Sequence, residues 1–289
     1  MIPAPLLLPP SNFADLGRFL FEGIEVFPNI PYRQINDIVV YLDIYKPRNL
    51  KGVNKTLVAV HGGGWISGTK EEVLPQLFPF LTQGWSIVNV GYRLGNVALA
   101  PAAVEDVRCA LRWVFSHASE YQFDPNKIVV IGGSAGGHLA TLCSILPNSA
   151  GFDLLTETAN HENLPELKVA AIINLFGIMD VNDVLFGINR QDYAVLWFGQ
   201  QPNTQELAAK ISPINYVRSG LPPLLTIHGN QDGLVPYQQA VKLHLKLDEL
   251  GVSNQLLTIS GAGHGGFSPA QAHLLYQTIQ DFLQTHQLW

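Results

Sequence analysis

The chain has 289 residues, of which 47% are hydrophobic and only 14% charged, and its formal net charge is −6. That supplies enough apolar material for one large α/β core. The acidic balance, with no lysine- or arginine-rich run, argues against a nucleic-acid partner. No stretch approaches the ~18 uninterrupted apolar residues of a membrane span. The nine histidines show no His-x-His or His-x-x-x-His ligand spacing, so no metal is expected.

The chain opens on "MIPAPLLLPPSNF", whose short apolar run is broken by prolines and preceded by no basic residue. It does not read as a signal peptide, which favours a cytoplasmic over a secreted location. Residues 1–34 are read as an N-terminal arm. "INDIVVYLDIYKP" (35–47) alternates and carries charge, the pattern of an antiparallel edge strand. "TLVAVHG" (56–62), "SIVNVGY" (86–92), "KIVVIGG" (127–133), "VAAIINLFG" (169–177), "PPLLTIHG" (222–229) and "NQLLTISG" (254–261) are mostly continuous apolar runs, as strands covered on both faces require. Helical patterns lie between them. Residues 101–121 repeat Val104, Val107, Leu111 and Val114 at helical spacing; 134–146, 236–250 and 269–287 follow, with Pro236 and Gly251 bounding the third. The two cysteines, Cys109 and Cys143, fall inside helical patterns and read as buried small hydrophobes.

An antiparallel start followed by alternating strands and helices predicts one doubly wound, mostly parallel α/β sheet with helices on both faces. Residues 147–168 and 178–215 break the rhythm and are read as excursions over the strands' C-terminal edge, where such sheets bind ligands. The second, containing "YAVLWFGQQP", is read as a small cap insertion. No linker divides residues 1–289, so a single domain is expected.

One turn carries the chemistry. Gly132-Gly133-Ser134-Ala135-Gly136 fits G-x-S-x-G, the strand–turn–helix that lifts a serine hydroxyl above the sheet edge on strained backbone. Glycine on either side leaves no Cβ to collide with the neighbouring strand or helix, and the helix start directs free N–H groups at the site. A dinucleotide-binding G-x-G-x-x-G would instead put Ser134 where backbone must approach a pyrophosphate, far from the first βαβ unit. A nicotinamide-dependent oxidoreductase therefore stands as a rival, and a non-catalytic binding protein on the same scaffold as another.

A serine needs a base and an orienting acid. With the chain order serine, acid, histidine, His264 in "SGAGHGGF" leads, directly after the last strand. His228 ends a strand and reads as packed; His138 lies on the serine's own helix; His244, His273 and His286 fall on amphipathic helices; and His161, in a loop, stays open. Asp232 in "HGNQDGLVP" is the leading acid, placed to accept from His264 Nδ1–H, with Asp180 in "FGIMD" as the fallback. Upstream, "VAVHGGGWISG" (58–68) spends three glycines on one loop, which costs conformational entropy and needs a reason. Its Gly63 and Gly64 amides, with that of Ala135, form the expected oxyanion hole, braced by His61. Trp65, Trp197 and Phe198 are candidates for the substrate pocket, as are Phe176, Phe186 and Tyr193. An ordinary histidine titrates near about 6.5, so such a base implies activity rising between about pH 6 and 8.

The set "HGGGW" (61–65), "GYRL" (91–94), "GGSAGGHLA" (132–140), "HGNQDGLVP" (228–236) and "GAGHGGF" (261–267) resembles the HGGG-bearing serine esterases of the α/β-hydrolase superfamily. The branch it is most similar to is the bacterial and fungal feruloyl-esterase-like (BD-FAE) one, related to hormone-sensitive-lipase-like esterases and kynurenine formamidases. The resemblance implies an eight-stranded α/β-hydrolase sheet and a carboxylesterase with no cofactor, in which Ser134 is nucleophile, Asp232 acid and His264 base, with Gly63, Gly64 and Ala135 around the oxyanion. The implied partner is a small-molecule ester, short-chain or aromatic-acyl, with feruloyl or acetyl esters of carbohydrates included, and the implied state a monomer or homodimer. An arylformamidase or amidase using the same triad is the alternative. Lipase-like relatives usually carry aspartate before the serine and "YRLAPE"; Gly133 and "YRLGNVALAP" stand here, so the lipase-like branch proper is disfavoured.

Overall fold

The computed structural model describes residues 22–48, 51–153 and 164–289. The β-branched runs assemble into one sheet of eight strands: β1 (Ile24–Ile35), β2 (Ile38–Pro47), β3 (Asn54–Val60), β4 (Ser86–Val90), β5 (Phe123–Gly133), β6 (Ala171–Leu175), β7 (Leu224–Gly229) and β8 (Asn254–Ile259). Their order is β1-β2-β4-β3-β5-β6-β7-β8. β1 and β2 pair antiparallel, as do β2 and β4, and all other pairings are parallel. Parallel neighbours need crossovers, and helices supply them: α1 (Leu74–Thr82), α2 (Ala102–Ser116), α3 (Ala118–Tyr121), α4 (Ala135–Ile145), α5 (Val181–Leu185), α6 (Asp192–Phe198), α7 (Thr204–Lys210), α8 (Tyr237–Glu249) and α9 (Pro269–Thr285).

Successive strand residues point to opposite faces, and the core divides accordingly. Val58, Val60 and Val130 join Val104, Val107, Leu111, Leu139 and Leu142 on the face of α2 and α4. Leu57, Ala59, Val129 and Ile131 join Leu77, Phe80, Ile279 and Phe282 on the face of α1 and α9. Both faces are covered, which is why the central runs are apolar at every position. Cys109 and Cys143 are buried free thiols.

The strand order reverses at β3, whose successor β4 lies on one side and β5 on the other. The crevice at such a switch point, beyond the carboxyl ends of the strands, is where a ligand can enter. Here the register Val60↔Gly132 sets the HGGG loop beside the Ser134 turn.

Two sequence expectations change. The 35–47 strand is not an edge; β1 pairs along it and takes the edge position. β1 includes residues 24–34 of the expected arm, of which residues 1–21 lie outside the described residues. Its Pro28 and Pro31 blur the alternation, and the register shifts beside both, as suits an edge. Within 147–168, Asn148–Ala150 form one 3₁₀ turn, and 154–163, with His161, lie outside the described residues. No helix among the described residues is long and apolar enough to cross a membrane.

The new edge is anchored by charge. Arg33 of β1 reaches Asp106 Oδ1 at 2.6 Å, and Arg93, after β4, grips the same carboxylate with Nε at 2.8 Å and Nη2 at 2.9 Å. The Asp106 side chain is fully buried. Asp106→Ala would leave the two buried guanidiniums only the longer carboxylate contacts to Glu105, at 3.3 and 3.4 Å, and removing one partner of a buried pair costs about 3–5 kcal/mol. The expected result is a lower urea midpoint at unchanged slope, measured by equilibrium denaturation.

Candidate active site

Ser134 lies between β5 and α4 with φ 56° and ψ −123°, a conformation that costs a non-glycine residue roughly 1–3 kcal/mol. The surroundings impose it. A Cβ on Gly132 would fall 2.2 Å from the Gly136 carbonyl oxygen, and one on Gly136 would fall 2.1 Å from that of Val60. The Ser134 N–H donates to the Leu175 carbonyl at 2.9 Å, while its own carbonyl accepts from His138 N–H at 3.0 Å. Gly133, between them, would place a Cβ no closer than 3.5 Å to the Phe176 ring.

The serine hydroxyl meets the two expected partners, each delivered by the loop after a parallel strand. His264, after β8, has Nε2 2.8 Å from Ser134 Oγ and Nδ1 2.7 Å from Asp232 Oδ2. Asp232, after β7, has a wholly buried side chain. Its Oδ1 accepts the N–H groups of Leu234 (2.8 Å) and Val235 (2.9 Å). Burial pushes this carboxyl up, but hydrogen bonds from His228, His264 and the Val235 N–H outweigh it and hold the group well below the usual carboxylate range. An ionised Asp232 fixes the tautomer: Nδ1 of His264 carries the hydrogen, leaving Nε2 to accept from the serine. Asp180, the fallback acid, instead caps α5, its Oδ1 accepting the Asn182 N–H at 3.1 Å.

A residue read from sequence as merely packed turns out to join this cluster. His228 Nε2 lies 3.1 Å from Asp232 Oδ2 and 3.0 Å from the Val235 carbonyl, with its side chain wholly buried. Both neighbours are acceptors, so this nitrogen is the donor. Two imidazoles thus share one carboxylate oxygen. The spacing of four in "HGNQD" was the only available signal, since it returns a strand-end side chain to its own loop.

Beside the serine runs the HGGG loop. Gly63, Gly64 and Trp65 have φ of 109°, 59° and 62° in succession, and the Gly63 carbonyl accepts from Ile66 N–H, Ser67 N–H and Ser67 Oγ–H at 2.9–3.1 Å. Among the described residues, no backbone or side-chain acceptor takes the N–H of Gly63, Gly64 or Ala135, so these donors are open to a ligand. His61 braces the loop as expected: its ring stacks on Tyr92 at 4.2 Å and its Nδ1 bonds the Gly62 carbonyl at 2.8 Å.

The aromatic expectations divide. Trp65 and Trp197 are 0% exposed and Phe198 is 1% exposed, so none of the three offers surface to a substrate. Trp65 and Trp197 stack at 4.1 Å, Phe198 packs edge-on to Trp197 at 5.4 Å, and the Trp65 indole N–H donates to His138 Nδ1 at 3.1 Å. They form the joint between the HGGG loop and the 178–215 insertion, which rises as α5, α6 and α7. The half-exposed aromatics by the serine are Phe176, edge-on to His264 at 4.8 Å; Phe267, 5.9 Å from Phe176; and Tyr193, whose Cβ and ring crowd Gly64. Phe186 is exposed on the loop after α5.

Two outcomes follow. Gly136→Ala should fail to give folded protein, whereas Gly133→Ala, with only a ring edge to meet, should melt within a few degrees of the parent; circular dichroism melts decide. Burial lowers the histidines at 61, 138 and 244, His138 to about 4. The unfolded chain takes up protons near about 6.5, where these buried rings stay neutral. Their contribution is therefore fully present above that value and is lost as pH falls from about 6.5 towards about 4. Thermal midpoints across that window should decline, and less steeply in His138→Asn.

Comparison with known proteins agrees with the fold and motifs. The chain is 32% identical over 207 residues to the probable carboxylic ester hydrolase LipM of Mycobacterium tuberculosis, an alignment covering 69% of this chain and 47% of that protein. It is 26% identical to esterase LipQ of the same organism, over 84% of this chain and 58% of the relative. It thus spans about half the length of these curated relatives. Among solved structures, the thermophilic esterase Est2 of Thermogutta terrifontis superposes with TM-score 0.76 at 28% identity, covering 92% of this chain and 94% of that one. A truncated carbohydrate esterase from gut microbiota superposes with TM-score 0.75 at 25% identity, covering 91% and 96%. Residues 42–247 match the BD-FAE family, and the chain belongs to that family, built on the α/β-hydrolase fold.

Proposed function

We propose that the chain is a serine carboxylesterase in which Ser134 attacks, His264 moves the proton and Asp232 orients the imidazole. The observation that carries this reading is the unbroken line from Ser134 Oγ through His264 to Asp232, with contacts of 2.8 and 2.7 Å, beside amides that have no other acceptor among the described residues. In the first step His264 Nε2 takes the hydroxyl proton as Oγ bonds the ester carbonyl carbon. Negative charge then appears on the carbonyl oxygen, and the Gly63, Gly64 and Ala135 N–H groups are placed to receive it; one such donor is worth about 3–4 kcal/mol in the transition state. The imidazolium, stabilised by Asp232, protonates the departing alcohol. Water repeats the sequence on the acyl-enzyme and frees the acid.

The substrate reading is narrower than the sequence allowed. Trp65, Trp197 and Phe198 are buried and offer no surface to an acyl group, so Phe176, Phe267 and Tyr193 are the half-exposed aromatics by the serine. We infer acetyl esters of carbohydrates as the substrates, in keeping with the carbohydrate esterase among the structural neighbours. The enzyme acts as a monomer or homodimer, and residues 178–215 are its cap.

The test is a panel of p-nitrophenyl acetate, acetylated sugars, methyl ferulate and N-formylkynurenine. Acetyl esters should turn over fastest, and Ser134→Ala should lower kcat by roughly ten-thousand-fold or more. Full activity in the alanine variant would remove Ser134 as nucleophile, and faster turnover of the formamide would replace the esterase with a formamidase.

A further inference from the structure

We infer that His138 is a positioning residue for ester hydrolysis: by accepting the Trp65 indole N–H it holds the oxyanion loop in register with Ser134. The inference rests on the esterase reading above and goes beyond it by assigning a role to a histidine outside the triad.

The three residues Gly63, Gly64 and Trp65 all have positive φ, and Trp65 has no glycine's freedom to stay there. Something outside the loop must hold it. Three contacts do: the stack on Trp197 at 4.1 Å, the Gly95 N–H donating to the Trp65 carbonyl at 2.8 Å, and the indole N–H donating to His138 Nδ1 at 3.1 Å. Only the last reaches the helix that carries the serine. His138 follows Ser134 by one helical turn, and its own N–H donates to the Ser134 carbonyl at 3.0 Å. The distance between serine and imidazole is thus set by rigid backbone, and the imidazole in turn sets Trp65, the residue next to the Gly63–Gly64 amides.

Both ring nitrogens are committed. Nδ1 accepts from Trp65, so Nε2 carries the hydrogen and donates to the Ile211 carbonyl at 2.7 Å, just after α7. One neutral ring therefore joins the serine helix, the oxyanion loop and the insertion. His138 and Trp65 are both 0% exposed, so water cannot replace the bond once it is cut. An amide displaced by a fraction of an ångström loses more grip on the developing oxyanion than on the ground-state ester, which lowers kcat and leaves KM nearly unchanged.

The test measures kcat and KM for acetyl-ester hydrolysis in Trp65→Phe, His138→Leu, His138→Asn and the double variant Trp65→Phe/His138→Leu. Trp65→Phe keeps an aromatic ring and deletes the donor; His138→Asn keeps an acceptor oxygen where Nδ1 stands. Each of the first two should lower kcat about tenfold at near-constant KM, and the double variant should be no worse than the poorer single one. His138→Asn should recover activity to within about threefold of the parent, because the acceptor survives. Losses that multiply in the double variant, or an asparagine variant as poor as the leucine one, overturn the inference. If His138→Leu does not fold, Trp65→Phe decides alone, and parental kcat there also overturns it. An esterase intact in the parent and abolished by Ser134→Ala keeps the broader reading standing whichever way these variants fall.

Discussion

Backbone packed against backbone, where the first turn of α4 crosses the end of β3, is the constraint on which the site depends. A Cβ on Gly136 would fall within 2.1 Å of the Val60 carbonyl oxygen and 2.5 Å of that of His61. On the other side of the crossing, a Cβ on Gly62 would lie 2.9 Å from the Gly133 carbonyl and 3.5 Å from Ser134 Cβ. Only chain without side chains fits there. Closeness forces Ser134 into its strained conformation, and closeness also brings the HGGG loop alongside the serine turn. The strain and the open amides therefore have one cause. The roughly 1–3 kcal/mol stored at Ser134 is offset by the fully apolar strand and helix faces that meet beneath it.

A buried carboxylate must find donors or a counter-charge, and the chain solves this in two different ways. Asp106 is gripped by Arg33 and Arg93, and Asp153 by Arg108 and Arg112 at 2.8–2.9 Å. Those carboxylates face permanent cations, so their charge is already spoken for; they join elements of the fold. Among the described residues, Asp232 meets no guanidinium or ammonium. Its four hydrogen bonds come from two imidazoles and two backbone N–H groups. Its negative charge is satisfied yet uncompensated, so a positive charge arising on His264 during a reaction would find it available. His228 fits the same logic, since a second imidazole N–H on Oδ2 steadies the carboxylate with no permanent cation beside it. Among buried acids, the missing cation is what separates a group built to stabilise transient charge from one built to hold the fold.

The residues legible in the sequence were those whose chemistry shows as spacing. Glycines at 132 and 136 and the three in HGGG mark close backbone contact because no other residue fits, and a histidine or aspartate in a glycine-bounded loop after a buried strand is placed by topology. Ser134, Asp232 and His264 meet for that reason, although 130 positions separate the first from the last. Partnership was harder to read. Trp65, Trp197 and Phe198 look like pocket aromatics because burial depends on which tryptophan stacks on which, and no local pattern encodes a contact between residues 65 and 197. His228 and His138 looked inert for the same reason, their partners being set by loop return and helix crossing. β1 escaped because Pro28 and Pro31 interrupt the alternation that reveals a strand, and α1 because Pro75 and Pro79 resemble helix breakers. The first sits at the start, where proline is tolerated, and the second is held by packing of Phe80 and Leu77 on the sheet.

The same aromatic joint limits how the insertion can move. Lifting residues 178–215 off the HGGG loop would separate Trp197 from Trp65, cut the Ala100 N–H bond to the Trp197 carbonyl at 3.0 Å and free the Ile211 carbonyl from His138. Exposing Trp65, Trp197 and Phe198 would cost about 1.5–3 kcal/mol each, before the broken hydrogen bonds are counted. The total approaches the whole stability of an ordinary domain, about 5–15 kcal/mol. A rigid-body lid motion is therefore too costly to accompany each turnover. The segment with little to lose is the turn between α5 and α6, where Phe186 and Ile188 are 53% and 99% exposed. That turn can shift while the HGGG loop stays clamped through Trp65 and Trp197, and a clamped loop is the condition for amides to be aimed before charge develops.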